Sequence, residues 1–189
     1  YRLIPALASN KAISLQKGMA PVTTTGLLDP HEVVLDNTYS KYFVTCQTSN
    51  EVRVMQTGVD TLVKVIPVGK YPLEMAVSKS KQLLFVTCQE DTNPNPLSKG
   101  SVYVIDMKTL NVVKVIKEKF YQPHGIAIDD NRNLLYVISR NADPNGPAPH
   151  HISECGSRNG FFHVININTW ERVSAASEVS VDPYSADVR

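Results

Sequence analysis

An all-β fold of β-propeller type, assembled from repeated four-stranded units, is predicted by this sequence. Three observations predict it. A pentapeptide recurs at a fixed interval, a proline stands at a constant distance before each copy, and β-branched residues dominate with no sustained helical face. Phe43-Val44-Thr45-Cys46-Gln47 returns as Phe85-Val86-Thr87-Cys88-Gln89, an offset of 42 residues. A more divergent third copy is Tyr136-Val137-Ile138-Ser139. Pro30, Pro72 and Pro123 each precede their copy by 13 residues.

Each element of the unit follows in order. Glu74 to Val77 is a short apolar first strand, and Ser78 to Lys81 is a polar turn. Leu83 to Thr87 is a second strand, Val102 to Ile105 a third, and Val112 to Ile116 a fourth after the turn Met107-Lys108-Thr109. The equivalent first turns are Asp36 to Ser40 and Asp129 to Asn133, where Asp and Asn bond their own backbone and tolerate left-handed conformations. One segment alone changes much in length. From the second-strand aromatic to the third-strand valine the count is 11 (Phe43 to Val54), 19 (Phe85 to Val104) and 28 (Tyr136 to Val164). The loop between second and third strands therefore absorbs the variation.

The units fall at about 29–70, 71–121 and 122–181. Residues 1–28 read as the end of a preceding unit, with 20–27 as its last strand, and 182–189 as the first strand of a following one. A closed propeller has about four to eight blades, so the chain is expected to form part of a larger ring. The alternative is a small closed ring in which 1–27 completes the last blade.

Composition excludes several function classes. Lys plus Arg number 19 and Asp plus Glu 18, a net charge of +1, so no global field gathers nucleic acid. No apolar run approaches the roughly 20 residues of a membrane helix, and the first 20 residues lack the order of a secretory signal. Three cysteines, Cys46, Cys88 and Cys155, form no CxxC and no disulfide framework. Cys46 and Cys88 end equivalent strands and read as small buried thiols. Cys155 lies in a polar loop beside histidines, as a reactive thiol, a ligand or a half of a bridge.

Taken together, the order of motifs resembles the YVTN β-propeller repeat. It reads here as Pro72 to Cys88, Val102 to Asp106, Thr109 to Val113 and Ile66-Pro67-Val68-Gly69, over about residues 20–189. The sequence departs from that pattern where Cys46, Cys88 and Ser139 stand in place of the usual Asn. The resemblance implies a bacterial, exported protein of the periplasm or cell surface, peripheral to an outer-membrane complex. It is shared by binding proteins, lactonases and some redox enzymes.

Antiparallel alternation puts the second-to-third-strand loops, 90–100 and 141–160, on the same face as the proline links between units. Binding residues on a rigid scaffold concentrate in such loops. On this rim the candidate ligand- or partner-binding residues are His31, Glu32, Glu74, His124, Arg140 and Arg158. His31 and His124 each follow a unit-opening proline. Imidazole, carboxylate and thiolate suit Zn or Cu, so His31, His124, His150, His151 and Cys155 form a candidate metal set. Ca would draw on Glu90 and Asp91, although the EF-hand order is absent. The competing reading is that Pro-His caps strand ends and that loop histidines are solvated. His163, inside a strand, reads as packing or surface, and Trp170 as cover for a sheet edge or as a partner anchor.

Two functions are weighed. One is a non-catalytic extracytoplasmic propeller that holds a partner protein or small ligand by its long-loop rim. The other is a metal-dependent or lactonase-like enzyme working through the rim histidines. Phosphate-binding glycine loops and a Gly-x-Ser-x-Gly nucleophile turn are both missing from the sequence.

Overall fold

The computed structural model describes residues 28–140, 159–181 and 183–188. Among them there are strands and turns but no helix. The first sheet orders β1 (Pro30–Leu35), β2 (Lys41–Cys46), β3 (Glu51–Gln56) and β4 (Thr61–Pro67) side by side. The second does the same with β5 (Pro72–Ser78), β6 (Leu83–Cys88), β7 (Ser101–Asp106) and β8 (Asn111–Ile116). The third contains β9 (Pro123–Asp129), β10 (Leu134–Ser139), β11 (Asn159–Asn166), β12 (Glu171–Arg172) and β13 (Ser177–Val181). All these strand pairings are antiparallel.

The fifth strand of the third sheet is not a fifth lane. Both β12 and β13 pair with β11, one beyond the other, so they are a fourth strand interrupted at 173–176. In the first two sheets the fourth strand carries a bulge at the same place. Val54 faces Lys64 while Met55 faces Leu62, and Val104 faces Lys114 while Ile105 faces Val112. The extra residues, Val63 and Val113, point to solvent, as does Val173 at the interruption. A bulge bends an outer strand and spoils its edge as a template for further pairing.

Short-range chemistry sets the turns as expected. Asp129 Oδ1 accepts from the N–H of Asn131 and of Arg132, both at 3.0 Å. Asp36 Oδ1 accepts from Ser40 N at 2.8 Å. Tyr39, Gln82 and Asn133 take positive φ there, and Asp60, Leu110 and Trp170 do so in the third turns. Trp170 packs, partly buried, against the core between the second and third sheets, which places it as sheet cover.

The cores lie between sheets. Phe43, Val52, Val54 and Ile66 of the first sheet meet Leu84, Val86 and Ile105 of the second. Phe85, Val102 and Val104 on the other face of the second meet Leu135, Val137 and Ile165 of the third. The second sheet is apolar on both faces because it is sandwiched between the other two, so its strands are nearly continuous hydrophobic runs. Polar ties reinforce the stacking: Asp130 of the third sheet accepts from Lys79 N of the second at 2.7 Å. Each first strand packs most closely against the next first strand, β1 against β5 and β5 against β9, so the first strands form the inner edge.

Two expectations need comment. Of the segment 182–189, expected to open a following unit, the described residues 183–188 join none of the ladders. Such a strand pairs with the second strand of its own sheet, and it has no such neighbour among the described residues. The reading of 1–27 as the end of a preceding unit lies outside the described residues, as does most of the loop 141–160.

Candidate functional site

The site begins with a distortion of the inner strands. In each sheet the first strand opens with a bulge. Pro30 faces Cys46 and Val33 faces Val44, so His31 and Glu32 together oppose Thr45. Leu73 and Glu74 likewise oppose Thr87, and His124 and Gly125 oppose Ile138. A bulge leaves a backbone N–H without its ladder partner and re-aims the side chains beside it. The threonine supplies what the ladder lost. Glu32 N donates to Thr45 Oγ1 at 3.0 Å, and Glu74 N donates to Thr87 Oγ1 at 3.1 Å. Each hydroxyl then donates forward to the next sheet: Thr45 to Leu73 O at 2.7 Å, Thr87 to His124 O at 2.8 Å. The Thr of the repeated motif thus fixes the bulge and joins neighbouring sheets at their inner edge.

These bulges bring His31, Glu32, Glu74 and His124 together. The Glu32 carboxylate accepts from the backbone N–H of Met75, crossing from the first sheet to the second. Glu74, one sheet on, faces a histidine instead, with Oε1 3.3 Å from His124 Nδ1. The ring of His124 lies edge to face with His31, centroids 6.0 Å apart, and 4.1 Å from the ring of Tyr184. His124 is buried while Tyr184 is 45% exposed. Behind His124, Gly125 admits the backbone of the following segment. A Cβ there would stand 2.6 Å from Ser185 Cα and 2.7 Å from Tyr184 O.

Burial governs the electrostatics. It pushes the Glu32 carboxyl up to about 7; the neighbouring Glu74 adds to this and the Met75 N–H opposes it. Burial also lowers the affinity of His31 for a proton, and His124 reinforces the effect, partly offset by Glu74 and Asp29. The cluster is therefore a compact set of donors and acceptors in which burial raises the Glu32 carboxyl and lowers His31.

The remaining sequence candidates separate. Arg140 follows β10 and is buried, with its backbone N–H donating to Gln122 O at 3.3 Å. Arg158, His150, His151 and Cys155 lie outside the described residues, so the candidate metal set is represented by His31 and His124. Among the described residues no group of three or more His, Cys, Asp or Glu is arranged to hold a metal ion. Glu90 and Asp91 serve their own loop. Glu90 pairs with Lys99 and accepts from Gln122 Nε2 at 2.7 Å, while Asp91 accepts from Ser101 Oγ at 2.8 Å and lies 3.6 Å from Lys117 Nζ. His163 is a packing residue, with Nε2 2.8 Å from Ser139 Oγ and its ring edge to face with Phe120 at 5.1 Å. Cys46 and Cys88 are free and buried, and burial raises both thiols, Cys46 to about 11.

Sequence reasoning overlooked Tyr184 and the bulge threonines. Tyr184 had a signal, since it follows Pro183 as His31 follows Pro30 and His124 follows Pro123. For the threonines the signal was their place in the repeated motif, but nothing local says that a hydroxyl reaches the next unit.

Comparison with known proteins bears on the fold. Solved structures similar to this chain include that of U3-55K (13% identity, TM-score 0.59) and the WD40 repeats of RRP9 (13% identity, TM-score 0.58). Another is from a nidogen/laminin complex (14% identity, TM-score 0.58). They cover 87%, 87% and 82% of this chain, which spans 46%, 45% and 51% of theirs. The sheets are β-propeller blades. No family model matches the chain. A curated relative is Antigen Lp49 of Leptospira interrogans serogroup Icterohaemorrhagiae serovar copenhageni (strain Fiocruz L1-130), 32% identical over 110 residues. That alignment covers 54% of this chain and 24% of the relative, so the chain spans about a quarter of its length.

Proposed function

We propose that this chain is the rim-bearing part of a non-catalytic, extracytoplasmic β-propeller that holds a partner protein or small ligand. One observation carries the reading. Bulges in three adjacent inner strands converge His31, Glu32, Glu74 and His124 on the face where loop 90–100 emerges, with Tyr184 exposed beside them. A stack of sheets whose first strands all bulge at one rim is built to present side chains there from a fixed frame. The extracytoplasmic setting rests on the YVTN resemblance and on a relative whose name marks it as an antigen.

The test compares wild type with Glu74→Gln and His31→Ala, neither of which is a fully buried side chain. Retention of a co-purifying partner or ligand is measured alongside thermal midpoint. The reading expects at least a tenfold loss of retention with the fold intact. Unchanged retention in both variants counts against it. A metal bound at one equivalent and lost in His31→Ala would favour the metal-dependent enzyme instead.

A further inference from the structure

The two rim glutamates differ from carboxylates elsewhere in what answers their charge. Glu51, Glu90, Asp91, Glu118 and Asp129 each pair with a lysine or an arginine. Glu32 and Glu74 pair with neither among the described residues, although both are half-buried. They are neighbours, since Glu32 reaches the backbone of Met75, the residue after Glu74. Each has one oxygen engaged: Glu32 Oε2 accepts from Met75 N, and Glu74 Oε1 lies 3.3 Å from His124 Nδ1. Glu32 Oε1 and Glu74 Oε2 remain, one acceptor on each of two adjacent sheets, and the Glu74 side chain is 18% exposed.

The surroundings favour positive charge. Against the burial of His31, both Glu74 and Asp29 act to stabilise a cation at that place. The ring of Tyr184, exposed and 4.1 Å from that of His124, adds an aromatic wall, and a cation gains from such a face. Opposite charge at a half-buried carboxylate is worth more than at the surface, because the surrounding protein screens it less than water does.

We propose that the rim cluster takes a primary ammonium group, its N–H bonds directed to Glu32 Oε1 and Glu74 Oε2. This rests on the rim-binding reading above and names the class of ligand. A guanidinium is best met by both oxygens of one carboxylate in a planar fork, and neither glutamate has two to give. An ammonium is a compact charge with three separately directed donors, which suits one oxygen from each sheet. A metal ion is a poorer match, since the described residues hold no group of three or more His, Cys, Asp or Glu arranged for one.

The ammonium has two sources, a free amine or a lysine side chain of a partner, and the probes separate them. At low salt, n-butylammonium, Nα-acetyl-lysine methylamide, n-butylguanidinium and uncharged n-butanol are titrated into the chain, with NMR following the backbone amides of Met75 and Tyr184. Expected is saturable binding of an ammonium probe, the tighter of the two naming the source, with n-butylguanidinium weaker and n-butanol inert. Glu74→Gln and Glu32→Gln should each weaken that probe roughly 10- to 100-fold, the worth of one charge-assisted hydrogen bond, while amides far from the rim keep their wild-type shifts. Absence of saturable binding by both ammonium probes, equal binding of the guanidinium, or unaltered affinity in both variants overturns the assignment. So does Zn²⁺ or Ca²⁺ that displaces the amine at a lower concentration than the amine itself requires. If the ammonium probes fail while Glu74→Gln still loses the co-purifying partner or ligand, the rim reading survives and the ligand class alone falls; if that retention is also unchanged, both fall.

Discussion

Replacing Thr87 by valine keeps the shape of a fully buried side chain and removes one hydroxyl. That hydroxyl accepts from Glu74 N at 3.1 Å and donates to His124 O at 2.8 Å, so the change leaves a bulge N–H and an inter-sheet carbonyl unanswered. Each unsatisfied buried group costs about 1–3 kcal/mol, and a carbonyl with a second lone pair sits at the low end. The valine methyl returns about 0.8 kcal/mol of apolar burial. The net is a loss of about 1–3 kcal/mol, or about 2–12 °C in thermal midpoint for a chain of this size. Urea unfolding followed by circular dichroism reads the loss, and Thr87→Ser, which restores the hydroxyl, should recover most of it. Thr45→Val, with bonds of 3.0 and 2.7 Å, should behave alike. A loss under about 0.5 kcal/mol for both valine variants would refute the claim that these hydroxyls join the blades at their inner edge.

Other consequences are equally direct. The Glu32 carboxyl is raised from 4.5 to about 7 in the folded protein, so the folded state binds more protons and stability falls as pH rises through that window. His163 is lowered from 6.5 to about 4 by burial and by Arg172, so its contribution is lost in the opposite sense, as pH falls through that range. Thermal midpoints from pH 4 to 8 should therefore lose their alkaline decline in Glu32→Gln and part of their acid decline in His163→Gln. Gly125→Ala should drive residues 184–185 away from β9, speeding hydrogen exchange of the amides at 184–187, because its Cβ would meet Ser185 Cα at 2.6 Å. In a Cys155→Ser background, Cys46 and Cys88 should resist a thiol reagent until the chain unfolds, since both are buried with raised thiols.

Much of this architecture is written in short-range pattern. Asp129 closes its turn through the amides of Asn131 and Arg132, and Val102 to Ile105 is apolar on both faces wherever it is placed between neighbours. Such features need only a few consecutive residues, which is why the strands and turns could be read in order. The interruption between β12 and β13 could not, because Val173 to Ala176 carries no turn signal distinct from a continuous strand.

By itself, then, the sequence determined the repeat, the four-strand unit and the rim on which the histidines after Pro30 and Pro123 would lie. The tertiary structure alone decided which groups meet. Glu32 and Glu74 occupy equivalent positions, yet one carboxylate takes a backbone N–H while the other faces an imidazole, because Leu73 and His124 differ in the blade that each one addresses. That choice depends on a backbone N–H 43 residues away and an imidazole 50 residues away along the chain, brought within bonding distance only by the stacking of separate sheets.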